Sequence, residues 1–208
     1  MDVDASGTEK LSFIEGDAGA AGWDKVLTDD GLVSIAQLLR RYHMAVRAFE
    51  PPEDSEWASG RVGAGDVDEI ILHGDPGPWN VVWDGAKASA FIDWDHANPG
   101  DPREDVAYLV AYTAPFCSDE VAMSWMRHSQ VPDRCHRLHV VAEAYGVPAE
   151  GLVELAANVL AKTNRTVERL ASLGLEPQRS WVEAGRLRQF WDRHEWIVAH
   201  RHKLAAEC

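Results

Sequence analysis

From Asp30 onward the apolar positions fall at three- and four-residue spacing: Leu32, Ile35, Leu39, Tyr42 and Val46. That period predicts an amphipathic helix with Asp29 or Asp30 as its cap. Ahead of it, residues 11–15 (LSFIE) read as a short strand, and residues 16–22 as a loose Gly/Ala stretch. Residues 50–66 are rich in Pro, Gly and acid and read as loop. Three short apolar runs follow, at 69–72, 80–83 and 88–92, and the turn-rich segments between them suggest a small antiparallel arrangement.

Beyond Asp101 the pattern is helical throughout. The first of these helices opens Asp101-Pro102-Arg103-Glu104, where Asp101 and Glu104 read as capping residues and Pro102 suits the first position. Further helices are predicted over 118–128, 133–145, 149–173 and 178–203, separated at Pro132, Pro148 and Pro177. On the last of them Trp181, Leu187, Trp191 and Val198 form a stripe expected to face the core, and His194, His200 and His202 are expected to serve surface or packing roles. No internal repeat is present. Strand, helix, strands and then a run of helices make an α+β fold in which helix dominates.

Composition sharpens this picture. The 208 residues are 46% apolar and include nine tryptophans, enough to bury one good-sized core. The first ten residues are polar and acidic, unlike a signal peptide, and no run approaches the roughly 18 apolar residues of a membrane span. Cys117, Cys135 and Cys208 are odd in number and form no C-x-x-C pair, which suits a reducing cytoplasm and argues against a disulfide framework or structural zinc. The net charge of −14 is lopsided: residues 1–120 carry −16 and residues 121–208 carry +2. This excludes a phosphate-backbone binder and is compatible with a metal ion or a cationic small-molecule substrate.

The chemistry-bearing stretch is 71–109, ILHGDPGPWNVVWDGAKASAFIDWDHANPGDPREDVAYL. His73-Gly74-Asp75 follows a strand, Asn80 comes five residues past the Asp, and Asp93 ends another strand. A carboxylate on such a loop can orient a hydroxyl and accept its proton, while an amide oxygen and a second carboxylate are hard donors that suit Mg²⁺. A hairpin can bring Asn80 and Asp93 together. If they are level, a loop of several residues around 84–89 is expected. A two-residue Asp84-Gly85 turn would leave Asp93 about four residues, some 13 Å, beyond Asn80.

H-G-D-x-x-x-x-N followed by I-D-W resembles the catalytic loop and metal-binding aspartate of the aminoglycoside phosphotransferases, within the wider phosphotransferase enzyme family. It is more distantly similar to the corresponding elements of protein kinases. Ser12-Phe13-Ile14-Glu15-Gly16 resembles the hinge between kinase lobes, and Gly100-Asp101-Pro102 with Asp105 resembles the segment that opens the next helix. The resemblance implies a protein-kinase-like C-terminal lobe over 23–208, with 1–22 as a remnant of the strand, hinge and linker. It implies transfer of the ATP γ-phosphoryl group to a hydroxyl of a small molecule. Asp75 would be the catalytic base, Asn80 and Asp93 the Mg²⁺ ligands, and Asp95 an outer-shell partner. Asp105 would brace the catalytic loop, and His73 would hold that loop rather than move a proton.

The family's Gly-rich loop and strand lysine would precede the hinge, where this sequence offers about ten residues and a single lysine, Lys10. Gly60-Arg61-Val62-Gly63 and the glycines at 16–19 read as linkers. Two expectations follow: weak ATP binding, and a homodimer that covers Leu11, Phe13 and Ile14. A non-catalytic homologue that binds a ligand or metal is the alternative to an enzyme.

Overall fold

The computed structural model describes residues 2–3, 9–52, 55, 57 and 69–208. The glycine-rich 60–63 and most of the 50–66 segment lie outside the described residues. Helix dominates, with small two-stranded sheets. Strands β1 (Asp2–Val3) and β2 (Glu9–Lys10) pair antiparallel. Residues 11–15, expected as a strand, form no strand, and Phe13 is 91% exposed. The chain makes its sheet contact further on, where Asp17 and Trp83 exchange backbone bonds of 2.9 and 2.8 Å.

After a short α1 (Gly22–Lys25), α2 (Asp29–Val46) buries Leu32, Ile35 and Leu39 as its period requires. Its cap is Thr28, whose hydroxyl accepts from the Gly31 amide at 3.3 Å, rather than Asp29 or Asp30. Those two acids lie inside the first turn, where they favour the positive end of the helix dipole. Strand β3 (Ile70–Leu72) pairs antiparallel with β6 (Asn98–Gly100), a Pro- and Gly-bearing strand that propensity does not reveal. Strands β4 (Val81–Asp84) and β5 (Lys87–Phe91) form the hairpin.

The run of helices is α3 (Pro102–Thr113), α4 (Asp119–Ser124), α5 (Arg134–Tyr145), α6 (Leu152–Ser172), α7 (Gln178–Glu183) and α8 (Arg186–Glu207). Asp101 caps α3, accepting from the Arg103 amide at 2.8 Å with Pro102 first in the helix. Glu104, expected as a second cap, instead reaches across to Lys162 of α6 at 2.8 Å. The segment 178–203, expected as one helix, divides at Gly185, whose φ of 74° suits glycine and ends α7. The expected stripe on that segment is not its buried face. Trp181, Leu187 and Trp191 are only partly covered and Val198 is exposed, whereas Arg193, Ile197 and Leu204 are buried against α6 and its neighbours. The bend at Gly185 resets the helical phase, so one stripe cannot run through both pieces.

Cys135 and Cys208 form a disulfide with Cα atoms 4.9 Å apart, which corrects the reading of the cysteine pattern as arguing against disulfides; Cys117 is free and buried. The end of α8 returns to the start of α5, a proximity that a separation of 73 residues conceals. Among the described residues no helix is long and apolar enough to cross a membrane.

One buried cation ties the helices together. Arg137 of α5 donates to the carbonyls of Val26 and Leu27, between α1 and α2, and to that of Thr113 at the end of α3. Helix-end carbonyls lack partners within their own helix, so the guanidinium satisfies several at once. Burial lowers its pKa from the usual arginine range to about 10, with Asp29 opposing. Arg137→Met should therefore leave buried acceptors unpaired and cost about 2–4 kcal/mol of stability, measured by urea unfolding. A loss below about 0.5 kcal/mol would show that water replaces the guanidinium.

Candidate active site

Strand β3 delivers the chain to His73-Gly74-Asp75 at the mouth of the small sheets. Gly74 has φ of 80°, and a Cβ there would lie 2.0 Å from the His96 carbonyl, so this close pass requires glycine. Two elements hold the loop. The Asp105 carboxylate of α3 accepts the His73 amide at 2.8 Å and the Gly74 amide at 2.9 Å. The His73 ring, fully buried, donates from Nε2 to the Ile92 carbonyl (3.1 Å) and accepts the Asp75 amide on Nδ1 (3.3 Å). It packs at tilted angles against Trp94 and Phe91, which also touch each other, and burial lowers its pKa, so a neutral ring with both nitrogens engaged occupies this position.

Asp75 is thereby placed with unequal oxygens. Oδ2 accepts from Asn80 Nδ2 at 2.9 Å and from the Trp79 indole at 3.3 Å; Oδ1 is buried with no hydrogen-bond partner. Burial raises the Asp75 carboxyl to about 6, opposed by the nearby Tyr108 hydroxyl, His96 and Trp79; the charge of Asp93 adds to the rise. Asn80, at the end of a 3-10 turn over Pro78–Asn80, also donates to the Asp75 carbonyl at 3.0 Å, which leaves its side-chain oxygen uncommitted.

The hairpin decides how Asp93 approaches. Its turn is two residues, Gly85-Ala86, with Gly85 at φ 59° in the first position, the pattern of a type II′ turn. That turn is one residue later than the tight alternative, and a bulge at Ser89 shifts the register once more. Val81 therefore pairs with Phe91, and the Ile92 amide donates to the Asn80 carbonyl at 2.9 Å. Asp93 lies one residue past the partner of Asn80, rather than four, without needing the long loop. It is exposed, at φ 65°, an uncommon conformation for a residue with a side chain. Asp75, Asn80 and Asp93 thus gather at one end of the hairpin. Asp95 is exposed, and no contact among the described residues ties it to that group.

Several partners escaped the sequence. His43 of α2 bonds Asp105 through Nε2 at 3.0 Å and Tyr145 of α5 through Nδ1 at 2.6 Å. Tyr108 and Tyr112 extend from Asp105 at three- and four-residue spacing along α3, and that spacing was visible; Tyr112 also packs edge-on against Trp79 at 4.8 Å. On α8, His200 stacks on Trp196 at 4.2 Å, in a packing role. Among the described residues no group of three or more His, Cys, Asp or Glu side chains is gathered as a metal cluster.

The loop thus hangs from a buried aspartate, with an amide and a carboxylate at the adjoining hairpin, on the residues whose motifs resemble the phosphotransferase family. The profile of the phosphotransferase enzyme family matches residues 57–138, a span that contains Asp75, Asn80, Asp93, Asp95 and Asp105. The family that the motifs resemble is the one whose profile matches. The chain is also 28% identical over 214 residues to the Trifolitoxin immunity protein of Rhizobium leguminosarum bv. trifolii, across 98% of this chain and 77% of that one. No solved structure matches it.

Asp105→Asn should cost about 2–4 kcal/mol in urea unfolding, because an amide cannot accept all three donors that the carboxylate accepts. Asp75→Asn should do the opposite at neutral pH. With its carboxyl raised from 3.8 to about 6, the folded chain holds a proton that the unfolded chain releases between those values. Stability therefore falls as pH rises through that window, to a cost of about 2–3 kcal/mol above pH 6. The variant should melt higher than the parent at pH 8, with the gap closing at pH 4. Equal melting at both pH values would contradict the buried, raised carboxyl.

Proposed function

We propose that the chain transfers the γ-phosphoryl group of ATP to a hydroxyl of a small molecule, with Asp75 as the base, on a kinase-like C-terminal lobe. The observation that carries this reading is the asymmetry of Asp75. One oxygen is fixed by Trp79 and Asn80, the other is buried with no hydrogen bond of 3.5 Å or less, and the carboxyl, with the Tyr108 hydroxyl beside it, takes up a proton near pH 6. In the reaction the acceptor hydroxyl gives its proton to Asp75. Its oxygen forms the new bond to phosphorus as the bond to the ADP oxygen breaks.

The donor set also fits the family's Mg²⁺. Asn80 supplies an uncommitted amide oxygen and Asp93 an exposed carboxylate, and Mg²⁺ usually takes one or two protein ligands and completes its shell with phosphate and water. The ion would neutralise phosphate charge; this chain's residues orient the hydroxyl, remove its proton and hold the loop. His73 and Asp105 position Asp75 in this scheme, and residues 23–208 form the lobe.

Similarity to an immunity protein supports protection against a toxic compound as the setting. It also favours a second reading, in which the chain sequesters that compound without phosphorylating it.

ADP release from Mg·ATP, followed across a panel of hydroxylated small molecules, tests the transfer. The rate should rise with pH to a plateau above about 6, as the Asp75 carboxyl ionises. Asp75→Asn should lower kcat by about 10²–10⁴-fold with KM little changed. An acceptor turned over equally by the variant removes Asp75 from the chemistry. A compound that binds and is never phosphorylated supports sequestration.

A further inference from the structure

A cavity of about 590 Å³ lies between α3, α4 and α8, lined by Tyr112, Val121, Trp125, Phe190, Arg193 and Trp196. This is an ordinary volume for a small-molecule site, and rings form much of the wall. Val121 and Trp125 form an exposed apolar rim, with Trp125 56% exposed. The inner wall adjoins the candidate active site: Tyr112 packs on Trp79, whose indole donates to Asp75, and lies 5.0 Å from the Tyr108 ring.

Arg193 is the unusual member. It is 8% exposed, yet it has no ion pair within 4 Å among the described residues. Its Nη1 donates to the Ala111 carbonyl at 3.2 Å, and its guanidinium lies 4.4 Å over the Tyr112 ring. The acids nearby are taken. Asp192, also on the cavity wall, pairs with Arg188 at 2.6 Å, and Asp119, next in the chain to the lining Ser118, pairs with Arg134 at 2.8 Å. A buried cation without a counter-charge is costly, and arginine is suited to bidentate oxyanion recognition.

We propose that the cavity binds an anionic aromatic molecule, its ring among Tyr112, Trp125 and Phe190 and its oxyanion on Arg193.

Three probes with one hydroxylated ring and different charge test this by calorimetry and tryptophan fluorescence, without ATP: 4-hydroxyphenylacetate, its neutral amide and tyramine. The acid should bind about tenfold more tightly than either of the others. Arg193→Gln should erase that preference. Should that variant fail to fold, Trp125→Ala on the exposed rim should weaken binding of the acid several-fold. Tyramine binding as tightly as the acid, or no binding of the acid up to millimolar concentration, overturns the proposal. An inactive chain that still prefers the acid refutes phosphoryl transfer alone. A chain that phosphorylates tyramine and ignores the acid refutes this inference alone.

Discussion

The Asp105 carboxylate accepts hydrogen bonds from the amides of His73 and Gly74 and from the ring of His43, which in turn bonds the Tyr145 hydroxyl. Four parts of the chain meet in that network: α2, the loop after β3, α3 and α5. A buried carboxylate with three donors is a favourable arrangement; the same group with one donor missing would be a penalty. The network therefore fixes the loop to the helical body, and Asp75 takes its place because the loop has no freedom left. Asp75 is only half-buried as a residue, but one oxygen of its carboxyl is shut off from solvent, and this desolvation raises its pKa.

The hairpin adds the second half of the site through register alone. Strand residues advance about 3.3 Å each, so an error of three residues would carry Asp93 roughly 10 Å from where it lies. The turn at Gly85-Ala86 and the bulge at Ser89 each move the pairing by one or two positions, and together they bring Asp93 beside the end of the Asn80 turn. Small backbone irregularities thus place a charge, a frequent use of bulges near functional sites.

The charge asymmetry of the chain has a counterpart in its interior. The acids of the first half lie mostly on the surface, while two arginines of the helical half, Arg137 and Arg193, are buried without carboxylate partners among the described residues. Arg137 spends its donors on helix-end carbonyls and acts as a structural pin. Arg193 has a carbonyl, a ring and an adjoining cavity, an environment with room for a ligand's charge. Identical side chains therefore serve two purposes, decided by what surrounds them.

The sequence by itself determined the helix-dominant α+β class, the core face of α2, the start of α3 at Asp101-Pro102, and the spacing of Asp75, Asn80 and Asp93 that resembles the phosphotransferase family's. These are local: a period, a cap or a spacing is written in neighbouring residues and acts over one turn or one strand. Only the tertiary structure decided the rest. The Ser89 bulge depends on pairing energies between strands, and the resetting of the stripe at Gly185 depends on how α8 meets α6. The Cys135–Cys208 bond and the partnership of His43 with Asp105 join residues 73 and 62 positions apart. No periodicity encodes such pairs, because they exist only once packing has closed the chain upon itself.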